Sequence, residues 1–332
     1  MTTISFKNVY VKSRATSVGP TEMQGPLANY FDNSFKDNYI NSSTFEKGER
    51  NLVKSSVDVA LNKAHLLLKD IDLCIGSDLN NQIACSNYYA TTIDTPFIGV
   101  YGACSNSALT IGTSSCFVDK LGMTNVLCFT SSSNAVAEKQ FRYPNEYGVQ
   151  KKETTTYTVT GAGAIVLSKD KSNIKVTSFT IGKVIDWEFK DLNDMGKAMA
   201  PSAYETLTTH LSDLNRTIDD YDLIVTGDLS SIGLSFLKDL LSKDYKNHGT
   251  LDKINDCGLL IYNINKQNVF CGGSGCGCSM CVTLAFLLKQ IEDKLYKRIL
   301  LVATGALLSP IECQQKESIP CCSHAIVFEG TL

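Results

Sequence analysis

Val100-Tyr101-Gly102-Ala103-Cys104-Ser105-Asn106-Ser107-Ala108 places a cysteine where an apolar, strand-like run, Phe97 to Val100, gives way to a helix-like run of small residues. A thiol at such a strand-to-helix elbow sits near the unpaired N–H groups and the positive dipole end of the helix. These lower a thiol pKa and also hold an anion. Cys104 is therefore expected to seat a nucleophile or an anion. The plainer reading is one more buried small apolar residue.

The order of helix and strand repeats outward from this elbow. Phe45 to His65 carries apolar residues at Val53, Val57, Ala60, Leu61 and Ala64, a spacing that predicts one buried helical face, and Ile71 to Gly76 follows as a short buried strand. A second helix-strand pair spans Ser105 to Leu121 and Asn125 to Thr130. Such alternation predicts an α/β fold with helices on the faces of a parallel or mixed sheet. Ser17 to Leu27, rich in turn formers, reads as an irregular arm.

The second half of the chain echoes the first. Ile71 to Asn80 is matched by Tyr221 to Ser230, each closing a strand at an aspartate, Asp78 and Asp228. Gly102 to Ser133 is matched by Gly272 to Ala306, and each segment leads through a proline loop, at Pro144 and Pro320, to a final strand. A repeat this long implies a duplicated domain, with halves at 1–170 and 171–332 related by a pseudo-two-fold axis. Ligand sites favour such junctions and the carboxyl ends of parallel strands, so the cleft is expected around Cys104, Asp78, Asp228 and His324.

Composition narrows the partners. A formal charge of −3 over 332 residues gives no basic field for nucleic acid. The thirteen cysteines lie scattered in apolar runs, and Met1 to Phe6 shows no export signal, so reduced thiols in a cytoplasm-like compartment are expected. No apolar run is long enough to span a bilayer, which leaves only a peripheral membrane role.

Two strand-helix halves with an elbow cysteine in the first and a histidine in the second resemble the thiolase-like fold, layered helix, sheet, helix, sheet, helix. Ser17 to Pro20, Gly76 to Gln82, Gly102 to Ser105, Gln140 to Pro144, Asp194 to Pro201, Asn255 to Gly258, Gly272 to Cys276, Ala303 to Pro310 and Gln315 to Pro320 are similar, in order, to the stage V sporulation protein AD family. The likeness runs from about Val9 to Glu329. It implies a non-catalytic protein that binds dipicolinic acid, pyridine-2,6-dicarboxylate, for the SpoVA transport machinery in spore formation and germination. Its implied partners are the ligand and the other SpoVA membrane and soluble subunits. The implied place is the forespore, peripheral at the inner membrane, and a homodimer is compatible with the resemblance. No cofactor is implied, and calcium enters only as the dipicolinate chelate.

The residues also leave an acyltransferase reading open, with Cys104 as nucleophile and His324 as its partner across the cleft. Against it, the glycine-rich loop Gly272 to Cys278 holds no histidine or asparagine. For a dicarboxylate, helix N–H groups and a protonatable His324 are suitable donors. Arg142, Tyr143 and Lys316 supply charge and stacking, and Asn80 and Gln82 stand in the matched motif beside Asp78. Asp78 itself is expected to take backbone donors, orient His324 or offer an oxygen to calcium. His65, His210 and His248 read as surface or packing residues. Cys271, Cys276, Cys278 and Cys281 have spacings unlike a zinc or iron–sulfur knuckle and read as elbow packing. Gly161-Ala162-Gly163 reads as a tight turn.

Overall fold

The computed structural model describes residues 2–141, 151–245 and 248–331. Arg142, Tyr143 and Pro144 lie outside the described residues, as does the side chain of His248.

Two five-strand arrays share one topology. The first contains β1 (Tyr10–Val18), β2 (Leu73–Asp78), β3 (Phe97–Gly99), β4 (Asn125–Ser132) and β5 (Gly161–Ser168), in spatial order β3-β2-β4-β5-β1. The second contains β6 (Ile174–Ile185), β7 (Leu223–Thr226), β8 (Ile254–Asp256), β9 (Arg298–Ala306) and β10 (Cys321–Gly330), in spatial order β8-β7-β9-β10-β6. Each array pairs its first three strands in parallel and its last two antiparallel. A bridge between Tyr10 and Lys175 joins them into one twelve-stranded sheet, which also takes in the short strands Thr3–Ser5 and Asn33–Ser34.

The helices form three layers because the strands are apolar on both faces. Outside the first array, Leu52, Val53 and Val57 of α1 (Phe45–Ala64) pack on Leu127, Phe129 and Val166, beside α2 (Ala84–Ala90). Between the arrays lie α3 (Asn106–Asp119) and, from the second half, a helix described below; Ala108, Ile111 and Val118 bury against Ile75, Ile165, Phe179 and Phe328. α4 (Asn134–Phe141) follows β4 at the cleft. Outside the second array, Met199, Ala203 and Leu207 of α5 (Met195–Leu214) and Leu237 and Leu241 of α6 (Ser230–Ser242) cover Ile224, Leu300 and Val327. The central partner of α3 starts at the glycine-rich loop after α7 (Cys257–Ile261): α8 (Cys276–Cys281), continued by a π turn at Val282–Leu287 and α9 (Leu288–Glu292). Strand alternation sorts the layers: Ile299, Leu301 and Ala303 of β9 face the middle, Leu300 and Val302 the outside. The expected five layers and duplicated halves are the observed ones.

The two outer helices use the same punctuation. Thr44 caps α1 by accepting from the Lys47 N–H, and His65 ends it in the left-handed region at φ 55°. Asp194 and Asn215 do the same for α5. His65 is exposed, whereas His210 is fully buried between Thr180 and Tyr221.

Two local expectations are corrected. Gly161-Ala162-Gly163 is part of β5, not a turn, and its bare backbone lets the central helix lie directly on the strand. A Cβ on Gly277 would meet the Gly161 carbonyl oxygen at 2.5 Å, and one on Gly163 would meet Met280 at 2.8 Å. The Ser17 to Leu27 segment is not a loose arm either: Ser17 and Val18 end β1, and Glu22 is completely buried. Its Oε1 accepts from the Thr160 N–H at 3.0 Å and from the Tyr262 hydroxyl, while Oε2 has no partner among the described residues.

Burial raises the Glu22 pKa to about 7, and the hydrogen bonds from Tyr262 and Thr160 only partly offset it. The folded state therefore holds this proton more tightly than the unfolded chain. The resulting stabilisation is complete below the ordinary carboxyl range near 4.5 and is lost as pH rises through about 7. In urea unfolding, the stability of Glu22→Gln relative to wild type is expected to improve between pH 5 and pH 8. A difference that stays constant with pH would contradict this account.

Candidate functional site

The elbow is held by its own backbone. The Gly102 N–H donates to Asn106 Oδ1 at 2.6 Å, Asn106 Nδ2 donates to the Asp78 carbonyl at 3.1 Å, and Ser105 Oγ donates to the Gly102 carbonyl at 2.6 Å. These bonds hold Ala103 at φ 52°, a conformation that costs about 1–2 kcal/mol for a residue with a Cβ. The turn delivers Cys104 to the head of α3. From the other half, Gly305 at the end of β9 lies so close that a Cβ there would stand 2.2 Å from the Gly102 carbonyl oxygen.

Cys104 is 9% exposed and lies within the electrostatic reach of the buried carboxylate of Asp228. Asp228 Oδ1 accepts from Thr304 Oγ1 at 2.8 Å, and Oδ2 accepts from the Gly275 N–H at 3.0 Å and Ser274 Oγ at 3.2 Å. Burial first, then the Asp228 charge, push the Cys104 thiol well above its ordinary value. The sequence expectation of a thiol activated by the helix end is reversed: desolvation and a neighbouring carboxylate outweigh the dipole.

Above Cys104 opens a cleft of two connected chambers. The inner one encloses about 480 Å³ including its mouth and is walled chiefly by Leu79, Tyr101, Phe141, Met195 and Leu308, with Glu138, Thr158 and Ser274 as its other polar groups. The outer chamber, about 1120 Å³ including open space, shares Tyr101 and Leu308 and is lined by the amides of Asn80, Asn81, Gln82 and Gln140 and by residues 307–311. Gln140 closes this rim reciprocally: its Oε1 accepts from the Asn81 N–H, and its Nε2 donates to Asn81 Oδ1, both at 3.0 Å. Among the described lining residues of the inner chamber there is no arginine, lysine or histidine.

The predicted site residues divide accordingly. Cys104 lies in the inner chamber and Asn80 and Gln82 at the outer rim, with Gln82 in the left-handed region at φ 54°. Asp78 is not available to a ligand. Its Oδ1 accepts from the Asn80 N–H at 2.8 Å and its Oδ2 from Ser86 N–H and Oγ at 2.7 and 2.6 Å, so it shapes the loop that presents Asn80 and Gln82. His324 does not line either chamber. Its Nδ1 accepts from the Gly182 N–H at 3.3 Å and its ring lies 6.0 Å from Phe179, with burial lowering its pKa to about 4. The neutral ring therefore carries its proton on Nε2. From the same strand it is Cys322 that reaches the elbow, with its Sγ 3.5 Å from the Gly102 carbonyl oxygen. Lys316 is exposed and away from both chambers; its carbonyl accepts from Lys190 Nζ at 2.8 Å.

Three residues were not singled out as site residues. Tyr101, within the elbow stretch, separates the chambers. Asp228, expected at the cleft only as a strand end, is buried there and accepts from Ser274, Gly275 and Thr304. Glu49 is buried on α1, where Oε1 accepts from Ser131 Oγ at 2.9 Å and Oε2 from Asn80 Nδ2 at 3.2 Å. Burial, then repulsion by Asp78, raise its pKa. The four clustered cysteines have separate surroundings: Cys271 donates to the Thr154 and Thr155 carbonyls, Cys276 to that of Ser131, and Cys278 and Cys281 are buried in the helix. Among the described residues no group of His, Cys, Asp and Glu is arranged to hold a metal.

The stage V sporulation protein AD family model matches residues 1–329. Stage V sporulation protein AD of Bacillus subtilis (strain 168) is 49% identical over 321 residues, covering 97% of this chain and 94% of that one. Among solved structures, 3-oxoacyl-[acyl-carrier-protein] synthase III from Aquifex aeolicus VF5 superposes with a TM-score of 0.58 at 14% identity, covering 97% of this chain and 99% of its own. A variant of Xanthomonas campestris OleA bound with cerulenin gives 0.62 at 15%, covering 98% and 97%. At these identities the two structures establish the thiolase-like fold alone.

The geometry fixes an order of thiol reactivity. In peptide-mapped alkylation by iodoacetamide at pH 8, the partly exposed Cys116 and Cys313 are expected to react first and Cys104 at least about tenfold more slowly. Asp228→Asn is expected to speed Cys104 by removing the adjacent charge. Fast wild-type labelling of Cys104 would contradict the assignment.

Proposed function

The chain belongs to the stage V sporulation protein AD family and so serves spore formation, and from that premise we propose that it is a non-catalytic binding protein for dipicolinate, acting with the other subunits of the SpoVA transport machinery. The observation that carries this reading is the cleft above Cys104. Its floor thiol is held protonated by burial and the nearby Asp228 charge with no histidine in the lining, its inner walls are apolar, and its rim is made of amides.

A flat pyridine ring suits a slot between Tyr101 and Leu308, with its carboxylates directed to the side-chain amides of Asn80 and Gln82. Glu138 bears on the form of the ligand. It lines the inner chamber paired with Lys151 at 2.7 Å, so the pair offers a bare dianion no net positive charge. The calcium chelate has its charge cancelled, and amide oxygens at the rim are suitable ligands for its calcium. The chelate is therefore the preferred form on this reading, and Arg142 and Tyr143, next in sequence after Phe141, remain proposed contacts. Among the described residues no helix is long and apolar enough to cross a membrane, which accords with a peripheral station at the spore inner membrane.

Calorimetric titration tests the proposal. Dipicolinate with equimolar calcium is expected to bind wild type saturably and more tightly than dipicolinate alone, with Tyr101→Ala weakening binding about tenfold and Lys316→Ala leaving it unchanged. Absence of saturable binding with or without calcium, in folded wild-type protein, would overturn it.

A further inference from the structure

Behind the amide rim, where α1, α2 and α4 meet, lies a second hollow of about 760 Å³ including its mouth, which the cleft does not use. Its floor is Ala84, Cys85 and Val136, and Asn80, Asn81 and Gln140 form its shared edge with the cleft. Arg50 and Tyr88 line it together, the guanidinium carbon 4.7 Å from the ring centroid.

The electrostatic pairing in this hollow is incomplete. Glu46, one turn before Arg50 on α1, is the nearby carboxylate, yet it bonds Lys139 of α4 and offers Arg50 only its backbone carbonyl, at 3.4 Å from Nε. Among the described residues Arg50 has no ion pair. Stacking on Tyr88 fixes the plane of the guanidinium, so its fork is oriented in advance and has no carboxylate to receive. Around it are an apolar floor, the Glu46–Lys139 ion pair and amide groups.

We propose that this hollow is a second binding site, for a small planar carboxylate. The carboxylate takes the two parallel N–H bonds of the Arg50 fork, and the attached ring or flat chain covers Ala84 and Val136 against the edge of Tyr88. The assignment stands on the Arg50–Tyr88 geometry and is independent of which molecule fills the cleft.

Benzoate is the probe, titrated at constant ionic strength into ¹⁵N-labelled full-length protein while the arginine Nε–H signals are followed. The Arg50 signal is identified by its loss in Arg50→Lys. It is expected to shift saturably, with an apparent affinity about fivefold or more weaker in Tyr88→Leu and unchanged in Tyr101→Ala. No saturable shift, an equal response to chloride, or a response abolished by Tyr101→Ala but indifferent to Tyr88→Leu would overturn the assignment. The last of these would place the probe in the cleft.

Discussion

A carboxylate buried at the centre of a protein must be surrounded by donors, and the Asp228 side chain sets this requirement where the two halves meet. Thr304 approaches it from β9 and Ser274 and Gly275 from the glycine-rich loop, beside Cys104 at the elbow of the other half. The donors come from two segments, β9 and the glycine-rich loop. Satisfying one side chain therefore fixes the start of α8 against β9, and Gly305 of β9 in turn lies against the Gly102 carbonyl at the elbow that starts α3. The two central helices are tied further by a Ser107–Ser279 hydroxyl pair at 2.7 Å.

The same carboxylate bears on the reactivity of the thiol. A nucleophilic cysteine needs a nearby group that takes its proton or stabilises the thiolate. Here the neighbour is an anion within a desolvated pocket, and the histidine of β10 is neutral and turned to the Gly182 backbone. The fold is shared with condensing enzymes, but the polar groups at its centre are spent on structure. What remains open to a ligand is an apolar chamber and an amide rim, features suited to recognition.

Much of the fold was legible because duplication writes the same pattern twice: buried strand, aspartate, elbow, helix, strand, proline loop. The elbow itself was legible from Gly102 to Ser107. His324 was misplaced for a reason that strand periodicity does not reveal. It shares the inward face of β10 with Cys322, but an irregularity in the pairing with β6 falls between them, and it is Cys322 that meets the elbow. Glu22 and Glu49 were invisible because an isolated glutamate in a turn or helix normally lies in water; only the tertiary structure shows them buried. Asp78 was read as a choice among roles, and the Ser86 and Asn80 donors that settle it lie on a loop whose left-handed turns at Gln82 and Ile83 carry no glycine signal.

The central claim is that Cys104 is a wall of a binding cleft and not a nucleophile. Its most direct test is intact-protein mass spectrometry of folded wild type after incubation with a range of acyl-CoA thioesters. The account predicts no acyl adduct on Cys104. An acyl mass increase that disappears in a folded Cys104→Ala variant would contradict it and make the cleft a site of thioester chemistry.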